Sequence, residues 1–155
     1  MKRKTVALLS FLLLACLLVS CGGAVTAKKP LAELYADIKK EIALPQMLEL
    51  DEGDLMDYLG ISPDDCAQFV ATIPFNVNSD AFFIFEGKDA EAMKRIEKKL
   101  TSYYDSVLAQ MANYIPEEAA KISRSGGATH KGNFTWMIIS DERDRIEQYI
   151  KKNFN

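Results

Sequence analysis

Carboxylates crowd one short stretch of this sequence, Glu49, Asp51, Glu52, Asp54 and Asp57, with Asp64 and Asp65 soon after. Oxygen ligands of this kind hold calcium, or activate water, when a loop gathers them around one point. The calcium-loop spacing fails here. Counted from Asp51, position three is Gly53, and position six, where glycine is required, is Met56. Acids placed to meet the free N–H groups of a helix start account for the stretch better. His130 is the sole histidine, and a general base needs a nucleophile or an orienting carboxylate that only folding could bring to it. Cys66 follows two aspartates, which raise a thiol pKa rather than activate it. Cys66 and His130 together are too few ligands for a structural zinc site. Gly126-Gly127 lacks the lysine and hydroxyl spacing of a phosphate loop. Lys94, Arg95, Lys98 and Lys99 cluster on one stretch, but Glu97 lies among them, the pattern of a solvated helix face. The sequence therefore assigns no catalytic, cofactor-binding or metal-binding residue.

The N-terminus carries the one strong chemical signal. Met1-Lys2-Arg3-Lys4 is basic, and Thr5 to Val19 is an apolar run broken only by Ser10. That run has the length of a signal-peptide core and falls short of the ~20 residues that span a bilayer. Leu18-Val19-Ser20-Cys21-Gly22-Gly23 then resembles a bacterial lipobox, with leucine three before the cysteine, a small residue before it and glycines after it. The resemblance implies a diacylglyceryl group on the Cys21 thiol and cleavage just before it. Cys16 after Leu13-Leu14-Ala15 has the same spacing, but cleavage there would leave Leu-Leu-Val-Ser behind the new terminus. The expected organisation is a removed signal peptide (residues 1–20), a lipidated tether (21–29) and one domain (30–155).

Composition sets the remaining bounds. The chain has 155 residues, 48% hydrophobic and 26% charged, which fits a single globular domain. The formal charge of −3 becomes −6 once Lys2, Arg3 and Lys4 leave with the signal, since 16 basic residues then face 22 acidic ones. No basic stripe exists to displace counterions from phosphates, so nucleic acid is excluded as a partner.

The elements that must position these residues follow from periodicity. Leu31, Leu34, Tyr35, Ile38 and Ile42 recur at helical spacing after Pro30, and a second small helix runs from Asp51 to Gly60. Met47 to Leu50 is short and extended. Phe69, Ala71, Ile73 and Phe75 alternate as a strand, placed at a sheet edge because Pro74 has no N–H. Ala81–Phe85 is a second strand. Asp89 caps a long helix with the stripe Ala92/Met93, Ile96, Leu100, Tyr103, Val107, Met111 and Tyr114. Pro116 restarts a helix ending at Gly126-Gly127. Ala128–Lys131 and Phe134–Ile139 form a hairpin around Gly132-Asn133, and Asp141 caps a final helix through Ile146, Tyr149, Ile150 and Phe154. The expected fold is α+β in the order ααββααββα, with a four-stranded, mainly antiparallel sheet of two hairpins in order 1-2-4-3. Its two central strands hold Phe82, Phe83, Phe85, Phe134 and Trp136, and being apolar on both faces they need two covers or a docking partner.

This layout is similar to a family of short, uncharacterised lipoproteins of Gram-positive bacteria, catalogued as a domain of unknown function. The likeness runs from about Leu34 to Tyr149. It rests on Tyr58-Leu59-Gly60-Ile61 before Pro63-Asp64-Asp65, on Ser79-Asp80-Ala81-Phe82-Phe83-Ile84-Phe85, on Tyr114-Ile115-Pro116-Glu117, and on Lys131-Gly132-Asn133-Phe134 leading to Met137-Ile138-Ile139-Ser140. These are patterns of fold, and the resemblance implies no catalytic residue, ligand or partner.

The expectation is a lipoprotein held at the outer face of the cytoplasmic membrane. It would act as a non-enzymatic module that binds a protein or wall component of the envelope and needs no cofactor. The competing expectation is an envelope hydrolase or metal-dependent enzyme built on Asp51, Asp54, Asp64 and Asp65.

Overall fold

Strands loaded with large apolar side chains on both alternating faces need a cover on each side. The computed structural model describes residues 25–155 and supplies both covers. Cys16, Cys21 and the leader lie outside the described residues. In chain order the strands are β1 (Met47–Glu49), β2 (Cys66–Pro74), β3 (Ala81–Gly87), β4 (Thr129–Lys131) and β5 (Phe134–Ile139). They form one open antiparallel sheet in the order β1-β2-β3-β5-β4. The helices are α1 (Leu31–Glu41), α2 (Glu52–Asp54, continued by a π-helical turn Leu55–Leu59), α3 (Ala90–Tyr114), α4 (Pro116–Ser125) and α5 (Arg143–Asn153).

The pleat sorts side chains into two cores. Phe83, Phe85, Met137 and Ile139 point to one face, where Met93, Ile96 and Leu100 of α3, Ile122 of α4 and Leu55 and Leu59 of the π-helical turn enclose them. Phe82, Ile84, Trp136 and Ile138 point to the other, under Leu31, Leu34, Tyr35 and Ile38 of α1 and Ile146 and Ile150 of α5. All five central-strand aromatics, Phe82, Phe83, Phe85, Phe134 and Trp136, are buried. Burial of each contributes about 1.5–3 kcal/mol. The second face of the sheet is thus closed by the first and last helices of the domain, which cover the aromatic side chains of its central strands.

Four details differ from the sequence reading. The sheet has five strands rather than four, because Met47–Glu49 pairs with the end of β2. Three residues are too few to show an alternation, so this segment reads only as extended. Pro74 therefore does not mark a sheet edge: β1 covers β2, and the missing N–H falls at the last rung, opposite Met47. The long helix keeps its apolar stripe beyond its support. At about 1.5 Å per residue its 25 residues reach about 37 Å, against roughly 23 Å for the seven of β3. Only Ala92, Met93, Ile96 and Leu100 are buried, Tyr103, Val107 and Met111 are half-buried, and Tyr114 is 79% exposed. The cap of α5 also differs. The N-cap is Glu142, with no side-chain cap bond; Ser140 Oγ accepts the Glu142 N–H at 3.1 Å in the turn ahead of the helix, and Asp141 pairs outward with Arg124.

Residues ahead of α1 are part of the domain. Ala27 forms a β-bridge with Phe154, Lys28 N–H donates to the Asn153 carbonyl at 2.8 Å, and the Asn155 N–H donates to the Thr26 carbonyl at 3.2 Å. Gly132, with φ +60°, leaves room for Val25, whose Cβ would lie 2.7 Å from a Cβ at that glycine. Val25 to Lys29 thus form a strap across the β4–β5 hairpin and the end of α5. Among the described residues, no helix is long and apolar enough to cross a membrane.

Candidate functional site

The residues singled out in the sequence do not converge. Asp51 and Asp54 form a reciprocal capping box at α2: the Asp51 carboxylate accepts the Asp54 N–H at 3.0 Å, and the Asp54 carboxylate accepts the Asp51 N–H at 3.2 Å. Asp65 takes a two-pronged contact from Arg95 of α3, at 2.7 and 3.0 Å, which holds its carboxyl below the usual range. Asp64 points to solvent. Among the described residues, no three His, Cys, Asp or Glu side chains gather as a metal site would require. Folding does bring His130 a carboxylate, Glu97, at 3.5 Å, but the imidazole is 70% exposed at the edge strand. Cys66 is buried, and its thiol donates to the Ser62 carbonyl at 3.7 Å. Burial, with the Asp65 charge second, pushes that thiol up to about 11, so it stays protonated and inert.

The basic stretch of α3 is partly neutralised. Lys94 pairs with Glu91 and Arg95 with Asp65. Lys98 and Lys99 border an open groove of about 380 Å³ with Met56, Gly60, Ile61 and Ser102. Gly60 suits this place chiefly through its backbone. Its φ is +63°, and a Cβ would lie 3.1 Å from Lys99 Nζ.

The best-built polar cluster is one the sequence did not announce. Pro116 starts α4 in a register that puts Glu118 and Lys121 one turn apart, and the β2–β3 loop delivers Ser79 and Asp80 to them. Lys121 Nζ lies 2.8 Å from Glu118 and 2.9 Å from Asp80, with its side chain only 8% exposed. Glu118 also accepts the Ser79 hydroxyl at 2.6 Å and the Ser79 N–H at 2.8 Å. Burial alone would lower the lysine pKa, yet the hydrogen bonds and charges of Glu118 and Asp80 outweigh it and leave it raised. Burial likewise disfavours the Glu118 carboxylate, but Lys121 and Ser79 hold its pKa below normal. Lys121 is accordingly a locked cation rather than a nucleophile or base, and it ties the β2–β3 loop to α4.

Beside this lock opens a polar cleft of about 410 Å³, lined by Lys121, Arg124, Ser125, Ser140, Asp141, Arg143 and Asp144. Cations, carboxylates and hydroxyls alternate around it, a lining for polar groups rather than for an apolar ligand. The same end of the sheet carries Phe75, Val77 and Tyr114, exposed by 64%, 83% and 79%. Glu118, four residues past Tyr114, bonds Ser79, four residues past Phe75, which sets these side chains at one end of the molecule. Together the cleft and the three apolar side chains make the strongest candidate for a binding surface. Its long-range partners, Asp80 with Lys121 and Arg124 with Asp141, had no local signal. Only the Glu118/Lys121 spacing was visible.

The family model described as a domain of unknown function, DUF4358, matches residues 40–140. That span runs from the end of α1 through β5 and includes the Lys121 lock and most of the cleft. No curated protein and no solved structure matches the chain.

Proposed function

We propose, from the premise that this chain belongs to the DUF4358 family of domains of unknown function, that it is a lipid-anchored module of the cell envelope. It is held by Cys21 at the outer face of the cytoplasmic membrane and binds an envelope protein or wall component without chemical turnover. One observation carries the reading: a basic and apolar leader running into Leu18-Val19-Ser20-Cys21-Gly22, with Cys21 four residues before Val25, the first residue of the folded strap. A diacylglyceryl cysteine gains about 0.8 kcal/mol for each buried CH₂, and two chains together suffice for lasting attachment. Of the four carboxylates that an enzymatic reading would use, Asp51 and Asp54 cap α2, Asp65 pairs with Arg95, and Asp64 stands apart from them in solvent. The surface offered for binding is the polar cleft with Phe75, Val77 and Tyr114.

Two measurements test the two halves. Metabolic labelling with a palmitate analogue should mark the wild-type chain and Cys16→Ser but not Cys21→Ser, and label on Cys21→Ser would end the anchor reading. Crosslinking in intact cells should capture the same envelope component with wild type but not with Phe75→Asp/Tyr114→Asp. Undiminished capture by that variant would remove this surface from the account.

A further inference from the structure

The strap restricts how the domain can lie on a membrane. Cys21 precedes Val25 by four residues, and an extended chain gains at most about 3.5 Å per residue, so an acylated Cys21 lies within about 14 Å of Val25. Val25 in turn sits on Gly132 of the β4–β5 hairpin. Lys28, Lys131 and Lys152 are all exposed at that end of the molecule. Among the described residues none of the three is paired with a carboxylate side chain. Lys28 Nζ donates to the Lys152 carbonyl at 2.8 Å, and Lys131 Nζ donates to the main-chain oxygen of Asn155 at 3.2 Å. Lys131 also stands 6.0 Å over the Phe154 ring, and Lys152 at the same distance over Tyr149. The carboxylates near this end are engaged elsewhere: Asp37 with Lys29 and Lys40, Glu86 with Gln68, Glu147 with Lys151 and Arg143, and Glu97 beside His130.

We infer that the strap, the β4–β5 hairpin and the end of α5 form the membrane-facing surface, and that Lys28, Lys131 and Lys152 take anionic phospholipid headgroups there. This rests on the anchor reading for the position of Cys21 and adds an orientation to it. The polar cleft, Phe75, Val77 and Tyr114 lie at the opposite end of the strands, because Phe134 begins β5 beside the hairpin and Ile139 ends it beside Ala81. An anchored domain so oriented presents that surface away from the bilayer. Lysines near an anionic surface each favour it roughly fivefold, and salt weakens the preference.

The test uses the full chain extracted from membranes and returned to vesicles. These contain a photoactivatable phosphatidylglycerol in one arm and the matching phosphatidylcholine in the other. Peptides holding residues 25–29, 130–132 and 151–155 should crosslink preferentially to phosphatidylglycerol, and peptides holding 75–80 and 111–118 should not. Lys28→Gln/Lys131→Gln/Lys152→Gln should reduce the phosphatidylglycerol preference by roughly fivefold per lysine. The corresponding triple arginine variant should keep it. Crosslinks concentrated at 75–80, spread evenly over both ends, or unchanged in the glutamine variant would overturn the orientation. The mass of the N-terminal peptide in the same sample reads the anchor separately. An unmodified Cys21 would sink the anchor reading, while the lipid preference would still decide the lysine surface.

Discussion

Lys121→Met is the most informative single change to the fold. The lysine side chain is 8% exposed, and its partners Asp80 and Glu118 are 14% and 21% exposed. Removing one member of a buried charge cluster costs about 3–5 kcal/mol, because the charges left behind remain desolvated. Here two carboxylates are left facing each other, but their residual exposure admits some water and the methionine stem keeps its contacts. The lower end, about 3 kcal/mol, is therefore expected. For a domain of this size that corresponds to a fall of roughly 10 °C in Tm, read by urea titration and thermal melting. The pH dependence sharpens the prediction. The Glu118 pKa is lowered in the fold, so in wild type its stabilisation is present above the ordinary value of 4.5 and is lost as pH falls through the folded value. The Lys121 pKa is raised, so its stabilisation is complete at neutral pH and is lost only in alkali, above 10.5. Without the ammonium, the paired carboxylates favour protonation. Lys121→Met should therefore regain stability as pH drops toward 5, where wild type gains nothing. A variant within about 0.5 kcal/mol of wild type at pH 7, or one with the wild-type acid profile, would refute the lock.

Three further outcomes follow from the geometry. Cys66 in the folded chain should resist maleimide at pH 8 and react at once in urea, because its thiol titrates near 11; rapid modification of the native chain, located by peptide mass, would contradict its burial. Gly87→Ala would bring a Cβ to 2.5 Å from the Met93 sulfur, where α3 begins over the end of β3. It should destabilise the domain by about 1–3 kcal/mol in urea titration, and Met93→Ala beside it should recover part of the loss. Gly132→Ala combines a Cβ 2.7 Å from Val25 with a φ of +60°. It should release the strap, seen as faster hydrogen exchange at the Lys28 and Asn155 amides with little change in the amides of β3.

The order of the helices and of β2, β3 and β5 was legible because each carried its own periodicity and punctuation, and the three-residue β4 because Gly132-Asn133 marked its turn. Asp89 before Ala90, Gly60 and Gly126 at left-handed helix ends, and Gly132 in its turn are local devices, and local chemistry suffices to read them. What escaped depended on distance along the chain. Met47–Glu49 becomes a strand only because β2 offers it an edge, and the stripe on α3 from Tyr103 to Tyr114 is apolar without saying where the sheet beneath it ends. The candidate surface escaped for the same reason. Asp80 and Lys121 are 41 residues apart, and Arg124 and Asp141 are 17 apart, so no window of sequence holds either pair. The strap was hidden by composition. Val25 to Lys29 shows no period, yet Ala27 and Lys28 bond the last residues of α5 and the chain beyond it.

Cys21 decides both the orientation of the domain and the direction in which its binding surface faces. The direct measurement is the intact mass and fragment spectrum of the N-terminal peptide from protein extracted out of the membrane. A chain that starts at Cys21 and carries a diacylglyceryl thioether on that sulfur is the result predicted. A chain that keeps Met1, starts at any other residue, or shows an unmodified Cys21 would contradict it.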